Sequence, residues 1–98
     1  MSQVTTNFSS DLAEFTKQVE HYLDNVVQHG TDEQLFTASY LQGHFAVVAG
    51  QSSLEEFETI TQFKELMEQS LNKAFAANEL EADDQKQVWS LWNTFIQG

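Results

Sequence analysis

Residues 34–53 read QLFTASYLQGHFAVVAGQSS, and this stretch contains no Asp, Glu, Lys or Arg. Its apolar side chains would point to almost every side of a helix, a pattern typical of a helix at the centre of a bundle. The polar residues between them are too numerous for a helix in lipid. We therefore expect a central helix over about 32–49, beginning at Thr31 or Asp32 and ending near Gly50.

Three further helices are expected on the two sides of this segment. Apolar residues three and four positions apart predict a first helix over about 9–29, with Ser9 or Ser10 as its cap. The same spacing predicts a third helix over about 53–77, because Ser53-Leu54-Glu55-Glu56 has the form of a capping box. A fourth helix is expected over about 82–97.

The length and composition of the chain predict one domain. At 98 residues there is room for a single hydrophobic core, and the absence of proline and the presence of only four glycines favour long helices. Eight phenylalanines, two tryptophans and two tyrosines are enough to fill the interior of a bundle. We expect an all-α fold over residues 1–98, a compact bundle of four helices with the second helix central.

The charge balance limits the classes of partner. Fifteen acidic residues oppose four lysines and give a formal net charge of -11. Such a chain repels nucleic acid and anionic lipid, and no segment approaches the roughly 18 consecutive apolar residues of a membrane span. The N-terminal sequence lacks the features of a secretion signal. We expect a cytoplasmic protein without direct nucleic-acid or membrane binding, whose partner is a basic or apolar protein or a second copy of the chain.

The central helix carries the residues that suggest a site. His44 follows Gly43 and lies one helical turn after Tyr40, within the charge-free segment. A buried histidine needs hydrogen-bond partners, and Gly43 would let a neighbouring helix approach closely. These three residues predict a polar cluster in the core. The alternative is a small-ligand site or an acid–base pair formed by Tyr40 and His44.

No catalytic, metal-binding or cofactor-binding residues are predicted elsewhere, and the chain is not expected to be an enzyme. It contains no cysteine, no glycine-rich phosphate loop, no nucleophile elbow and no His-Glu-x-x-His pair. His21 is expected on the surface, and His29 is expected to stabilise the C-terminal end of the first helix.

Two groups of side chains are candidates for an interaction surface. The first is a stripe of carboxylates expected on one side of the third helix, which is either a solvated face or an imitation of a phosphate backbone. The stripe consists of Glu55, Glu58, Glu65 and Glu68. The second group is Trp89 and Trp92, which belong to the wide apolar arc of the fourth helix and lie either in the core or at an edge that meets a partner.

Several motifs of the sequence resemble those of a known family. They are Asp32-Glu33-x-Leu35-Phe36, Tyr40-Leu41-x-Gly43-His44, Ser70-Leu71-x-Lys73-Ala74, Glu79-Leu80, Asp84-Gln85, Val88 and Trp92. Together they look like the small bacterial YfcL family, a resemblance that implies a helical fold and no assigned reaction. Gln42 stands where a basic residue is expected, and Glu81-Ala82 stands where Ser-Pro is expected.

The sequence thus favours a small acidic helical module that binds another protein, or assists one, without catalysis. Two alternatives stay open. One is a small-ligand-binding or enzymatic bundle centred on Tyr40 and His44, and the other is an acidic mimic of nucleic acid.

Overall fold

The computed structural model describes residues 3–97, with side chains from residue 11 onward. These residues form four α-helices and no strand, which confirms the predicted all-α bundle. The helices are α1 (Gln3–His29), α2 (Asp32–Leu54), α3 (Ile60–Ala76) and α4 (Ala82–Gln97). The second helix contacts each of the other three, so its predicted central position is also confirmed.

The start of α1 lies earlier than expected. The backbone is helical from Gln3, so Ser9 and Ser10 lie within the helix and the prediction that one of them caps it was wrong. No glycine or proline precedes them to stop the helix from extending toward the N-terminus.

The predicted boundary between α2 and α3 was wrong at both residues that defined it. Gly50 does not end α2, which continues to Leu54. Beyond it Glu56 adopts a left-handed backbone with φ 55°, and the Phe57 N–H donates to the Ser52 carbonyl at 2.9 Å. This is a Schellman ending, in which a left-handed residue turns the chain back onto the last carbonyls of the helix. Ser53-Leu54-Glu55-Glu56 therefore closes α2 and does not open α3.

The third helix is capped by a different residue. Thr59 accepts a hydrogen bond from the Gln62 N–H at 3.1 Å, and the Gln62 side chain accepts one from the Thr59 N–H at 3.1 Å. This reciprocal pair is a capping box, and a matching pair between Thr31 and Gln34 opens α2. Thr31 was one of the two predicted starts of α2, whereas Thr59 was missed because Ser53 satisfies the same pattern.

The core contains side chains from all four helices. Phe15 packs edge-on against Phe63 with ring centroids 5.8 Å apart, and Phe45 contacts the same ring at 5.3 Å. Trp92 is 1% exposed and belongs to this interior. The largest fully buried side chains are Trp92, Phe63, Leu23, Leu41, Met67, Leu71, Val19, Val48 and Val88.

One side of α2 remains exposed, although its sequence predicted burial all round. Leu41, Phe45 and Val48 are buried against the other helices. On the opposite side, Val47 is 66% exposed and Leu54 is 86% exposed. The helix is thus central in its contacts while one of its apolar sides stays exposed.

Candidate functional site

A polar cluster lies where α2 meets α3 and the turn that follows α3. Tyr40 and His44 are one turn apart on α2, and their rings lie 4.7 Å apart. The Tyr40 hydroxyl donates to Oε1 of Glu79 at 2.9 Å. Oγ of Ser70 lies 3.0 Å from Nδ1 of His44, and Oε1 of Glu79 lies 3.9 Å from Nε2 of the same ring. The structure therefore brings together the predicted Tyr40 and His44 and adds Ser70 and Glu79.

The ending of α3 places Glu79 in this cluster. Asn78 has a left-handed φ of 61°, and the Glu79 N–H donates to the Ala74 carbonyl at 3.2 Å. Asparagine tolerates the left-handed region better than most residues, so this Schellman turn has a suitable residue at its critical position. The turn directs the chain back toward α2, where the Glu79 carboxylate meets Tyr40.

The environment of Tyr40 keeps its hydroxyl protonated. Burial, the hydrogen bond to Glu79 and the negative charge of that carboxylate together raise the pKa of Tyr40 from 10.0 to about 12. All three causes disfavour a phenolate. The group is therefore a stable hydrogen-bond donor at neutral pH and is poorly suited to act as a base.

Ser70, His44 and Glu79 are the residue types of a nucleophile, a base and an orienting carboxylate, but their arrangement differs from that of a catalytic triad. The 3.9 Å between Nε2 of His44 and Oε1 of Glu79 exceeds a hydrogen bond, and that Glu79 oxygen already accepts a hydrogen bond from the Tyr40 hydroxyl. Ser70 lies inside α3, where backbone N–H groups are bonded within the helix and are not free to stabilise an oxyanion. The cluster is best described as a set of polar contacts that joins α2 to α3 and to the turn after α3.

Gly43 is not part of the polar cluster. A Cβ placed on it would meet no atom within 4 Å, so the expectation that it brings a neighbouring helix close was wrong. The reason is its position on the exposed side of α2. We call this side the outer face of α2, and it consists of Phe36, Ser39, Gly43, Ala46, Val47, Gly50 and Leu54.

The four carboxylates of the predicted stripe do not share a helix. Because α3 begins at Ile60, Glu55 lies at the end of α2 and Glu58 lies in the following loop, while Glu65 and Glu68 lie on α3. Glu55 accepts a hydrogen bond from the Gln51 side chain at 2.8 Å. The stripe expected on one side of the third helix is therefore divided between two helices and a loop.

The two tryptophans also differ in position. Trp92 is buried, so it belongs to the core and not to an edge that could meet a partner. Trp89 is partly buried and packs edge-on against Phe75, with ring centroids 5.8 Å apart. Most of the apolar arc of α4 is thus used inside the bundle.

The remaining histidines lie far from the polar cluster in the sequence. His29 lies in the last turn of α1, as expected, and His21 lies beside a groove bounded by α1, α3 and α4.

Within residues 11–97, no three side chains of the metal-binding types come together in a group that could hold an ion. None of the helices in the described part of the chain is both long enough and apolar enough to cross a membrane.

Sequence reasoning missed Ser70 and Glu79 as neighbours of His44. Both residues are far from it in the sequence, and helical periodicity cannot show which loop folds back onto α2. A signal was nevertheless present, because both residues belong to the motifs Ser70-Leu71-x-Lys73-Ala74 and Glu79-Leu80, which resemble the family pattern.

Fold and site together define a small, acidic helical-bundle protein with a polar cluster on its central helix. This chain belongs to the YfcL family, because the family model described as "YfcL protein" matches residues 13–97. It is also 30% identical over 86 residues to a protein of Escherichia coli (strain K12) named "Uncharacterized protein YfcL", a match that covers 88% of this chain and 94% of that protein. No solved structure matches the chain.

Proposed function

We propose that this chain is a non-catalytic protein-interaction module that binds a helix of its partner through the outer face of α2. One observation carries the proposal. Among residues 11–97, the large hydrophobic side chains that are exposed all belong to α2: Leu35, Phe36, Val47 and Leu54. Exposed apolar groups that are concentrated on one element mark an interaction site more often than scattered ones do.

The glycines of this face support the same function. Gly43 and Gly50 lie inside α2, and neither has a left-handed backbone nor a neighbouring atom within 4 Å of an added Cβ. A glycine inside a helix lowers stability by about 1 kcal/mol relative to alanine. The bundle itself gains nothing from either glycine, whereas a second helix approaching from outside would pack closely against their bare backbone.

The charge distribution favours an apolar contact over an ionic one. The outer face lies within the segment from Gln34 to Leu54, which has no charged residue, although the chain has a net charge of -11. Carboxylates lie beside this face at its Phe36 end, where Asp32, Glu33 and Asp84 line the same groove, so the centre of the face is where apolar surface can be covered without the cost of desolvating a carboxylate. A partner with an apolar helix fits such a surface better than a basic protein does.

The test is a comparison of three forms of the protein, each immobilised and exposed to cell extract. They are the wild type, Val47→Lys on the outer face and Gln69→Lys on the exposed side of α3, so that the two variants carry the same added charge. We expect a protein that is retained by the wild type and by Gln69→Lys but lost with Val47→Lys. Retention of no protein by a chain that also fails to self-associate, or equal retention by all three forms, would show that the outer face is not an interaction site.

A ligand-binding or enzymatic role for the polar cluster is the second candidate, and the position of Ser70 3.0 Å from His44 favours it. If Ser70 is a nucleophile activated by His44, a fluorophosphonate probe should label it, and His44→Gln should prevent the labelling. Mass spectrometry of the treated protein would locate the adduct. An unlabelled Ser70 would leave the cluster with a structural role only.

A further inference from the structure

We infer that the partner of the outer face is a second copy of this chain, and that the two α2 helices pack antiparallel about a twofold axis that crosses the outer face at the level of residue 45. This inference rests on the proposed function and specifies its partner. It follows from how large and small residues are distributed along the face, and from its lack of charge.

The outer face is complementary to itself in the antiparallel direction. When the two helices cross at the level of residue 45, positions equally distant from that level in opposite directions face one another across the outer faces. Phe36 then lies opposite Leu54 of the second copy, and Val47 lies opposite Gly43. Each bulky side chain meets either an apolar side chain or the space above a glycine, which is the pattern that lets two helices interlock.

The flanking residues follow the same rule. Gly50 lies opposite Tyr40 of the second copy, so the partly exposed edge of that ring can rest on bare helix backbone. At 1.5 Å per residue, the contact from Phe36 to Leu54 would extend about 27 Å along each helix. A parallel pairing would instead place each glycine opposite a glycine and Val47 opposite Val47, leaving gaps beside one bulky contact.

The charge of the chain limits where a second copy can dock. Two copies that each carry a net charge of -11 repel one another, and the outer face is where they can approach without opposed carboxylates at the centre. The acidic residues lie at its two ends: Asp32 and Glu33 precede the face, and Glu55 and Glu56 follow it. In the antiparallel arrangement the acids at one end approach those at the other end of the second copy, so salt should strengthen the dimer by screening them.

Sedimentation equilibrium tests the dimer and its surface. We expect the wild type and Gln69→Lys to dimerise, and Val47→Lys to dimerise at least tenfold more weakly because it buries a charge beside the twofold axis. Raising NaCl from about 50 mM to about 500 mM should tighten the wild-type dimer, since the Debye length falls several-fold over that range. A salt-weakened association, or one unchanged by Val47→Lys, would overturn the inference.

Disulfide trapping tests the antiparallel direction, because the natural chain contains no cysteine. We expect Phe36→Cys mixed with Leu54→Cys to form a disulfide-linked heterodimer on mild oxidation. Either variant alone should cross-link poorly, since its two cysteines would be about 27 Å apart at the helical rise of 1.5 Å per residue. Efficient cross-linking of each variant with itself would indicate a parallel pairing and contradict the antiparallel dimer.

The two proposals can fail separately. A chain that is monomeric at every concentration, but retains another protein that Val47→Lys loses, overturns the self-association and leaves the interaction function intact. A monomer that retains no such protein overturns both proposals.

Discussion

At the scale of single residues, Tyr40 and Glu79 form the best-defined contact of the polar cluster. The hydrogen bond of 2.9 Å joins the central helix to the turn after α3, so this pair of side chains links two parts of the chain that are distant in sequence. Glu79 is more than half exposed, which limits how much this pair contributes to stability.

We expect Tyr40→Phe to lower the free energy of unfolding by about 0.5–1 kcal/mol, because it removes one hydrogen bond while keeping the ring. The pH dependence should change as well. Since the pKa of Tyr40 is raised from 10.0 to about 12 on folding, its contribution is complete below pH 10 and is lost as the pH rises toward 12. Urea unfolding between these pH values should therefore show a shallower loss of stability in Tyr40→Phe.

A second tyrosine provides the control for that experiment. Burial also raises the pKa of Tyr22, so both the wild type and Tyr40→Phe should lose some stability at high pH from this residue. Equal slopes in the two proteins would contradict a special environment for Tyr40.

Glu56 occupies a left-handed backbone position that suits glycine better. We expect Glu56→Gly to raise the free energy of unfolding by about 1 kcal/mol, because a side chain is strained at φ 55° and glycine is not. Glu55→Gly is the matched control. It removes a carboxylate in the same way, but Glu55 has an ordinary φ of -90°. A gain of similar size in both variants would mean that removing negative charge, and not backbone strain, is responsible.

At the scale of helices, Gly30 and Gly43 differ in whether the fold leaves room for a side chain. A Cβ on Gly30 would lie 2.6 Å from the Val26 carbonyl oxygen, so the turn between α1 and α2 has no room for a side chain. A Cβ on Gly43 would meet nothing. The sequence shows only that both glycines lie near or within a helix. The surrounding chain determines which of them is needed for folding.

We expect Gly30→Ala to destabilise the protein by about 1–3 kcal/mol through overpacking, and Gly43→Ala to stabilise the monomer by about 0.5–1 kcal/mol through helix propensity. Thermal unfolding at low protein concentration, where self-association is negligible, measures both effects. A destabilised Gly43→Ala monomer would show that the outer face is packed within the bundle after all.

At the scale of the whole molecule, phenylalanines that look alike in the sequence differ in how far they are buried. Phe63 is fully buried, whereas Phe36 is 48% exposed. We expect Phe63→Ala to cost about 3–5 kcal/mol, a large part of the 5–15 kcal/mol that stabilises a typical domain. Phe36→Ala should cost less than about 1 kcal/mol in the monomer. Chemical denaturation of both variants checks the contrast, and similar losses would place Phe36 in the core.

The sequence by itself determined the number and order of the helices. Apolar spacing of three and four residues is a local property of each segment, and the caps at Thr31 and near Ala77 use side-chain and backbone groups only a few residues away. The central position of α2 also followed from its composition, because a long charge-free segment is stable in water only when much of it is covered. Tyr40 and His44 were recognised from the sequence as neighbours on one helix.

Only the tertiary structure decided the rest, and most of it depends on which distant residues meet. Ser53 and Thr59 both fit a capping box, and the Schellman turn at Glu56 selects Thr59. The partners of His44 come from α3 and the turn after it, and no periodicity within α2 could predict them. The exposure of one apolar side of α2 is likewise set by how α1, α3 and α4 surround it. We propose that this uncharged, exposed side is where the chain binds its partner.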